Sequence, residues 1–191
     1  MKRLLGILGL LIVLLIGVLL FNTFLFESKQ LKVEAIATSV PSTAAIEHFQ
    51  KAIGYKTISF GDSIHFDSSA FLGFHRYLQT TYPLVHAKLK RERVLKYSLL
   101  YQWEGSNPSL NPIILMAHQD VVPIEEATKT MWSVDPFSGV VKDDFIWGRG
   151  TADDKVNLIS IMEAAEKLLA ENFQPVRTIY FAFGHDEELG G

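Results

Sequence analysis

Three short polar clusters in this sequence combine residue types that bind metal ions and move protons. They are His118-Gln119-Asp120, Asp153-Asp154-Lys155 and Asp186-Glu187-Glu188. One imidazole with several carboxylates and no thiolate is a donor set for a hard or borderline cation. Zinc accepts His nitrogen and carboxylate oxygen at about 2.0–2.2 Å. In extended backbone, residues two apart point to the same side. Asp120 is therefore placed to accept the second ring N–H of a metal-bound His118 and to fix its tautomer. Asp153 has two oxygens and can bridge two ions. Adjacent Glu187 and Glu188 can point in different directions. One can bind metal while the other acts as a general base on water.

Taken singly, each cluster has a bland explanation. The H-x-D pattern recurs as His65-Phe66-Asp67 in a loop-like stretch, where it reads as structural. Asp153-Asp154 also suits a helix start, where carboxylates are favoured. Asp186-Glu187-Glu188 also suits solvated surface. Their joint placement favours one shared site. All three fall at expected strand ends, and His118, Asp153 and Glu188 follow one another at intervals of 35 residues.

The elements that must position these clusters read as an α/β layer sandwich. Helices are expected over Thr43–Ala52, with Ser42 as N-cap, over Ser68–Tyr82 and over Val156–Leu169. Strands are expected over Val94–Trp103, Ile113–Ala117 and Arg177–Phe183. The turn-rich Gly105–Pro112 suggests a hairpin-like connection, and Phe137–Trp147 an extended pair around Lys142–Asp144. The continuous apolar run Ile113–Ala117 suggests burial on both faces. This order predicts a three-layer sandwich with a mainly parallel sheet. Ligand sites gather at the carboxyl ends of strands in such sheets.

Composition narrows the functional classes. The 191 residues are 48% hydrophobic and 20% charged, with net charge −3 and no cysteine. These values exclude a disordered tail, a disulfide-stapled mini-protein, a cysteine-bound zinc and a thiol nucleophile. The balanced charge argues against nucleic-acid binding. The mean hydropathy of +0.17 comes mostly from the N-terminus. Leu4–Phe21 contains no polar side chain and is long enough to cross a bilayer core of about 30 Å. Lys2 and Arg3 before it place Met1 in the cytoplasm and the rest across the membrane. Residues 1–27 are therefore expected to be a signal-anchor and 28–41 a linker, leaving 42–191 as the folded part. The rival is a cleaved signal peptide, which would make the protein secreted.

From Leu115 to Gly190, the stretches LMAHQDVVP, PFSG, FIWGRGTADDK and GHDEELGG resemble the co-catalytic zinc exopeptidases of metallopeptidase family twenty. The resemblance is to the carboxypeptidase S branch, which also includes N-acyl amino acid amidases. Weaker similarity reaches back to about Pro41. The resemblance implies two zinc ions, with His118 on one, Glu188 on the other and Asp153 bridging both. It implies Asp120 as the orienter of His118, Glu187 as general base and acid, and a cis peptide between Asp153 and Asp154. Arg149 and Lys155 match the motif as architectural residues, and His185 matches a position that is not a ligand. His48, His65, His75 and His86 lie outside the motifs and read as structural.

The implied reaction is hydrolysis of a peptide or N-acyl amino acid near a free carboxylate, weakening at acid pH as the ligands protonate. Family members run well beyond the third cluster and there supply further ligands and a lid or dimerisation domain. The chain is accordingly expected to be the N-terminal part of a longer enzyme that can form a homodimer, and inactive alone. The alternatives are a non-catalytic membrane-anchored domain, an amidase in place of a peptidase, and a single-metal hydrolase.

Overall fold

The computed structural model describes residues 2–30, 33–34, 40–61 and 65–191. They form two compact units, 1–39 and 40–191. The first contains helix α1 (Lys2–Phe24), none of whose residues is buried. Its 23 residues span about 35 Å at 1.5 Å per residue. The helix is long and apolar enough to cross a membrane, a property that signal sequences share. The expected linker lies partly outside the described residues.

The second unit is a mixed sheet with helices packed on one face. Helix α2 (Thr43–Ile53) starts at Ser42, whose hydroxyl accepts the Ala45 N–H. Helix α3 (Ser68–Thr81) starts at Asp67, whose carboxylate accepts the Ser69 and Ala70 N–H groups. The His65-Phe66-Asp67 motif thus contributes a helix cap. The Ser69 hydroxyl also donates to Asp67, and these bonds hold its carboxyl below the usual range. Helix α4 (Pro83–Lys88) follows at once. Its Leu84 and Val85 N–H groups, both at 2.9 Å, donate to Glu166 on helix α5 (Lys155–Ala170).

The strands are β1 (Lys90–Val94), β2 (Ser98–Trp103), β3 (Ile113–His118), β4 (Val140–Lys142), β5 (Phe145–Trp147) and β6 (Ile179–Gly184). β4 and β5 form the expected hairpin, turning at Asp143 and Asp144, both at positive φ. The other four form a sheet in the order β1-β2-β6-β3.

Four expectations about the strands are corrected. The sheet is mixed, since only β3 and β6 pair in parallel, while β1–β2 and β2–β6 are antiparallel. The expected strand Val94–Trp103 breaks at Leu95 and Lys96, which take positive φ and close a β1–β2 hairpin. β2 and β3 are not hairpin partners, because β6 lies between them. Finally, β3 is an outer strand. Ile113, Ile114, Leu115 and Met116 are 40–75% exposed, and only Ala117 and His118 are buried. An apolar run with a neighbour on one side gives the same sequence signal as one buried between two strands.

The core gathers Leu99, Tyr101 and Trp103 of β2 and Phe181 and Phe183 of β6, against Phe74, Leu78, Leu158 and Met162 from the helices. Alternation along β2 and β6 places these strand residues on one face. All four helices of this unit add to that single cluster. Among the described residues the arrangement is therefore two-layered, and no helix covers the other face.

His86 lies at the edge of this core and supports a prediction. Its Nδ1 faces the Tyr82 carbonyl at 2.8 Å, and its Nε2 faces the Tyr101 hydroxyl at 3.0 Å. The neutral ring satisfies both contacts, donating to the carbonyl and accepting from the phenol. Burial lowers the His86 pKa, with Arg91 adding to the effect and the Tyr82 carbonyl and Glu166 opposing it. A folded pKa below the ordinary imidazole value of 6.5 contributes stability that is full above 6.5 and is lost as pH falls through the folded value. Urea midpoints at pH 7.5 and 5 are expected to fall further for the native chain than for His86→Gln. An equal fall in both chains would remove His86 from the acid response.

Candidate metal centre

The site forms where β3, β6 and the loop before α5 come together. β3 delivers His118 at its last position. The register aligns His118 with Gly184, the last residue of β6, so the segments beyond both strands start side by side. α5 begins at Lys155, directly after a cis peptide between Asp153 and Asp154.

Ligand atoms of His118, Asp153 and Glu188 all lie within 4.8 Å of one another. His118 Nε2 is 2.9 Å from Asp153 Oδ1 and 3.7 Å from Glu187 Oε2. The imidazole is buried, with 8% of its side chain exposed, while Asp153 is 75% and Glu187 63% exposed. The cluster therefore has a fixed nitrogen at its base and carboxylates at an open mouth.

His118 Nδ1 donates to the Asp120 backbone carbonyl at 3.0 Å, with Asp120 Oδ1 at 3.2 Å. The expected His–Asp contact is present, with the main-chain oxygen slightly nearer than the carboxylate. Burial opposes charging of this ring. The hydrogen bond to Asp153 and the fields of Asp120 and Asp153 outweigh burial and raise the pKa. The Glu188 pKa is raised first by burial and then by the negative charge of Asp153. A cation among these groups replaces a proton on His118 and relieves the crowding of like charges. This donor set fits a zinc-like ion.

Asp120 holds the site together. It is fully buried. Its Oδ2 accepts the Ser59 hydroxyl at 2.7 Å and the Glu188 N–H at 3.1 Å, and its Oδ1 accepts the Glu187 N–H at 3.3 Å. One carboxylate thus fixes the backbone of both glutamates and lies against His118. Asp154 accepts the His118 N–H at 3.3 Å and pairs with Asn157. Arg149 lies over the Trp132 ring at 5.5 Å.

Lys155 is completely buried and donates to the Ala52 and Tyr55 carbonyls at 3.1 and 2.5 Å. Burial lowers its pKa to about 7, opposed by the charge of Asp120. It ties the end of α2 to the start of α5, an architectural role. Gly150 explains a second motif residue. It has φ +86, and a Cβ there would lie 2.8 Å from the Val121 side chain.

The structure thus brings His118, Asp120, Asp153, Glu187 and Glu188 to one place. Ser59 and Asp154 join them, and Gln119 lies next in the chain with its side chain turned away, all with no role assigned from sequence. Gln119 and Asp154 sat inside the motifs. Ser59 lies 61 residues from Asp120, and its sequence neighbourhood carries no local signal. His185 turns away from the cluster, with Nδ1 2.7 Å from the Ser98 hydroxyl.

A mixed sheet with one imidazole and several carboxylates at its parallel strand ends is an arrangement suited to metal-dependent hydrolysis, and the comparisons agree with that class. Residues 114–191 match the model of peptidase family M20/M25/M40. Over that stretch the chain is similar to peptidases. More closely, it is 48% identical over 190 residues to "Probable carboxypeptidase S-like 2" of Dictyostelium discoideum, covering 93% of this chain and 36% of that protein. It is 42% identical over 147 residues to "N-fatty-acyl-amino acid synthase/hydrolase PM20D1" of Mus musculus, covering 76% of this chain and 28% of that protein. The chain thus spans about a third of the length of the curated relatives it matches. In fold it is similar to human carnosine dipeptidase 1, with TM-score 0.60 and 18% identity, over 77% of this chain and 32% of that one.

Proposed function

We propose that residues 42–191 form the metal-binding N-terminal part of a zinc-dependent amide hydrolase that acts near a free carboxylate. The observation that carries this reading is the convergence of His118, Asp153 and Glu188 within 4.8 Å, with Glu187 beside them. In this reading His118, Asp153 and Glu188 would hold two zinc ions, with Asp153 the ligand shared between them. Asp120 orients the His118 ring. When bound, the metal supplies Lewis acidity for activating water and polarising an amide carbonyl. Glu187 takes a proton from the attacking water and returns it to the leaving nitrogen. Its exposed carboxylate, on a backbone pinned by Asp120, suits a group that must reach a substrate. Residues 1–27 serve as a signal-anchor with the hydrolase part outside the cytoplasm, and residues 28–41 as the linker.

The names of the relatives leave two substrate classes, peptides and N-acyl amino acids. The direct test is equilibrium dialysis of the chain against zinc, with and without Asp153→Asn. The native chain is expected to retain zinc and the variant to lose most of it. Equal retention would remove the cluster as the metal site. In a longer form of the protein that carries activity, parallel assays on a dipeptide and an N-acyl amino acid, before and after chelation, separate the substrate classes. Chelation is expected to abolish either activity.

A further inference from the structure

Gln119 sits between His118 and Asp120 yet faces away from the metal cluster. Its side chain is fully buried. Nε2 lies 2.9 Å from the Tyr97 carbonyl, 3.0 Å from that of Phe183 and 3.3 Å from that of Gly184. Oε1 lies 2.8 Å from Nε2 of His75 on α3. The main chain adds two more bonds. Gln119 N–H donates to the Gly184 carbonyl at 2.8 Å, and the Gln119 carbonyl accepts the Thr57 hydroxyl at 2.6 Å.

These contacts settle the proton positions. The amide Nε2 is a donor meeting only carbonyls, so Oε1 is the acceptor and must receive the His75 Nε2–H. His75 is buried, and its other nitrogen, Nδ1, finds no hydrogen-bond partner among the described residues. A buried ring with an unmet nitrogen is costly to keep unless its other nitrogen has a use. Here that use is to hold the Gln119 amide in one orientation. The amide in turn grips the last two carbonyls of β6, five and four residues before Glu188, from the residue that follows His118.

We propose that Gln119, held by His75, is a positioning residue that sets the separation of the His118-bearing and Glu188-bearing segments. The metal centre needs such a device because β3 and β6 end level with each other and their ladder stops at His118 and Gly184. The Gln119 N–H adds one last bond, to the Gly184 carbonyl, and its side chain ties that strand end to the Tyr97 carbonyl between β1 and β2. The proposal rests on the metal reading for its purpose, while the geometry of the pair is independent of it.

The test uses the full chain in micelles with four variants: Gln119→Leu, Gln119→Glu, His75→Leu and His75→Gln. Ring nitrogen NMR of the chain stripped of metal is the first readout. His75 should show the neutral Nε2–H tautomer. The His118 ring signals should shift in Gln119→Leu, Gln119→Glu and His75→Leu, and should stay native in His75→Gln, which keeps a donor for Oε1. Cobalt(II) titration is the second readout. Affinity should fall by about tenfold in Gln119→Leu, the usual scale for groups that orient ligands, and hold in His75→Gln.

Native His118 signals in a folded Gln119→Leu overturn the proposal, as does His75→Leu behaving like His75→Gln. If Gln119→Leu does not fold, the two His75 variants decide the matter alone. A native chain that binds no cobalt sinks the metal reading, and the NMR comparison then still tests the positioning.

Discussion

Glu187→Gln is expected to lower turnover by roughly 10²- to 10⁴-fold in any form of the protein that hydrolyses its substrate, the range for loss of a general base. Zinc content should stay unchanged. The argument is geometric. Glu187 Oε2 stands 3.7 Å from His118 Nε2, at the edge of the cluster formed by His118, Asp153 and Glu188. Its side chain is 63% exposed, while its N–H is tied to buried Asp120. A fixed backbone with a free carboxylate suits a proton carrier better than a ligand. The amide of glutamine keeps the volume and the hydrogen bonding but cannot take a proton. Turnover near the native level would remove Glu187 from the base role. Loss of zinc together with turnover would make it a ligand. Metal analysis beside kcat separates these outcomes.

Much of this site was legible in the sequence because each participating motif is local. His118 and Asp120 share one strand end. Asp153 stands beside a helix start. Glu187 and Glu188 follow one strand directly. Local spacing predicts such features well, and helices α2, α3 and α5 lie where periodicity and capping place them. The errors concern relations between distant segments. β6 inserts between β2 and β3, a placement that no local pattern encodes. The run Ile113–Ala117 looks buried on both faces, yet most of it is exposed at the sheet edge. Ser59 was invisible for the same reason. A lone serine gains meaning only when the chain brings it to Asp120 through the parallel bridge between Ile58 and Val121. His75 read as structural, and its place against Gln119 refines that reading. The helix Lys2–Phe24 was plain from its apolar run, though length and composition describe a signal sequence as readily as an anchor.

Asp120→Ala is expected to destabilise the fold by about 3–5 kcal/mol, the scale for removing one partner from a buried charged pair. The loss goes beyond the His118 contact. Ser59 Oγ–H and the N–H groups of Glu187 and Glu188 all donate to this carboxylate. Alanine leaves these donors in a pocket that Asp120 fills with no exposure of its own, and an unmet buried donor costs about 1–3 kcal/mol. Lys155 compounds the effect, because Asp120 is the negative charge that favours its buried ammonium. Asp120→Asn should cost less, since one oxygen remains, but its NH₂ group must face donors. The expected order of urea midpoints is native, then Asn, then Ala. A loss under about 1 kcal/mol for Ala, the worth of one ordinary hydrogen bond, would show that these donors find other partners. A large loss with the predicted order would mean that Asp120 does two jobs with one carboxylate. It secures the folded junction of β3 and β6, and through the same oxygens it fixes where His118, Glu187 and Glu188 stand.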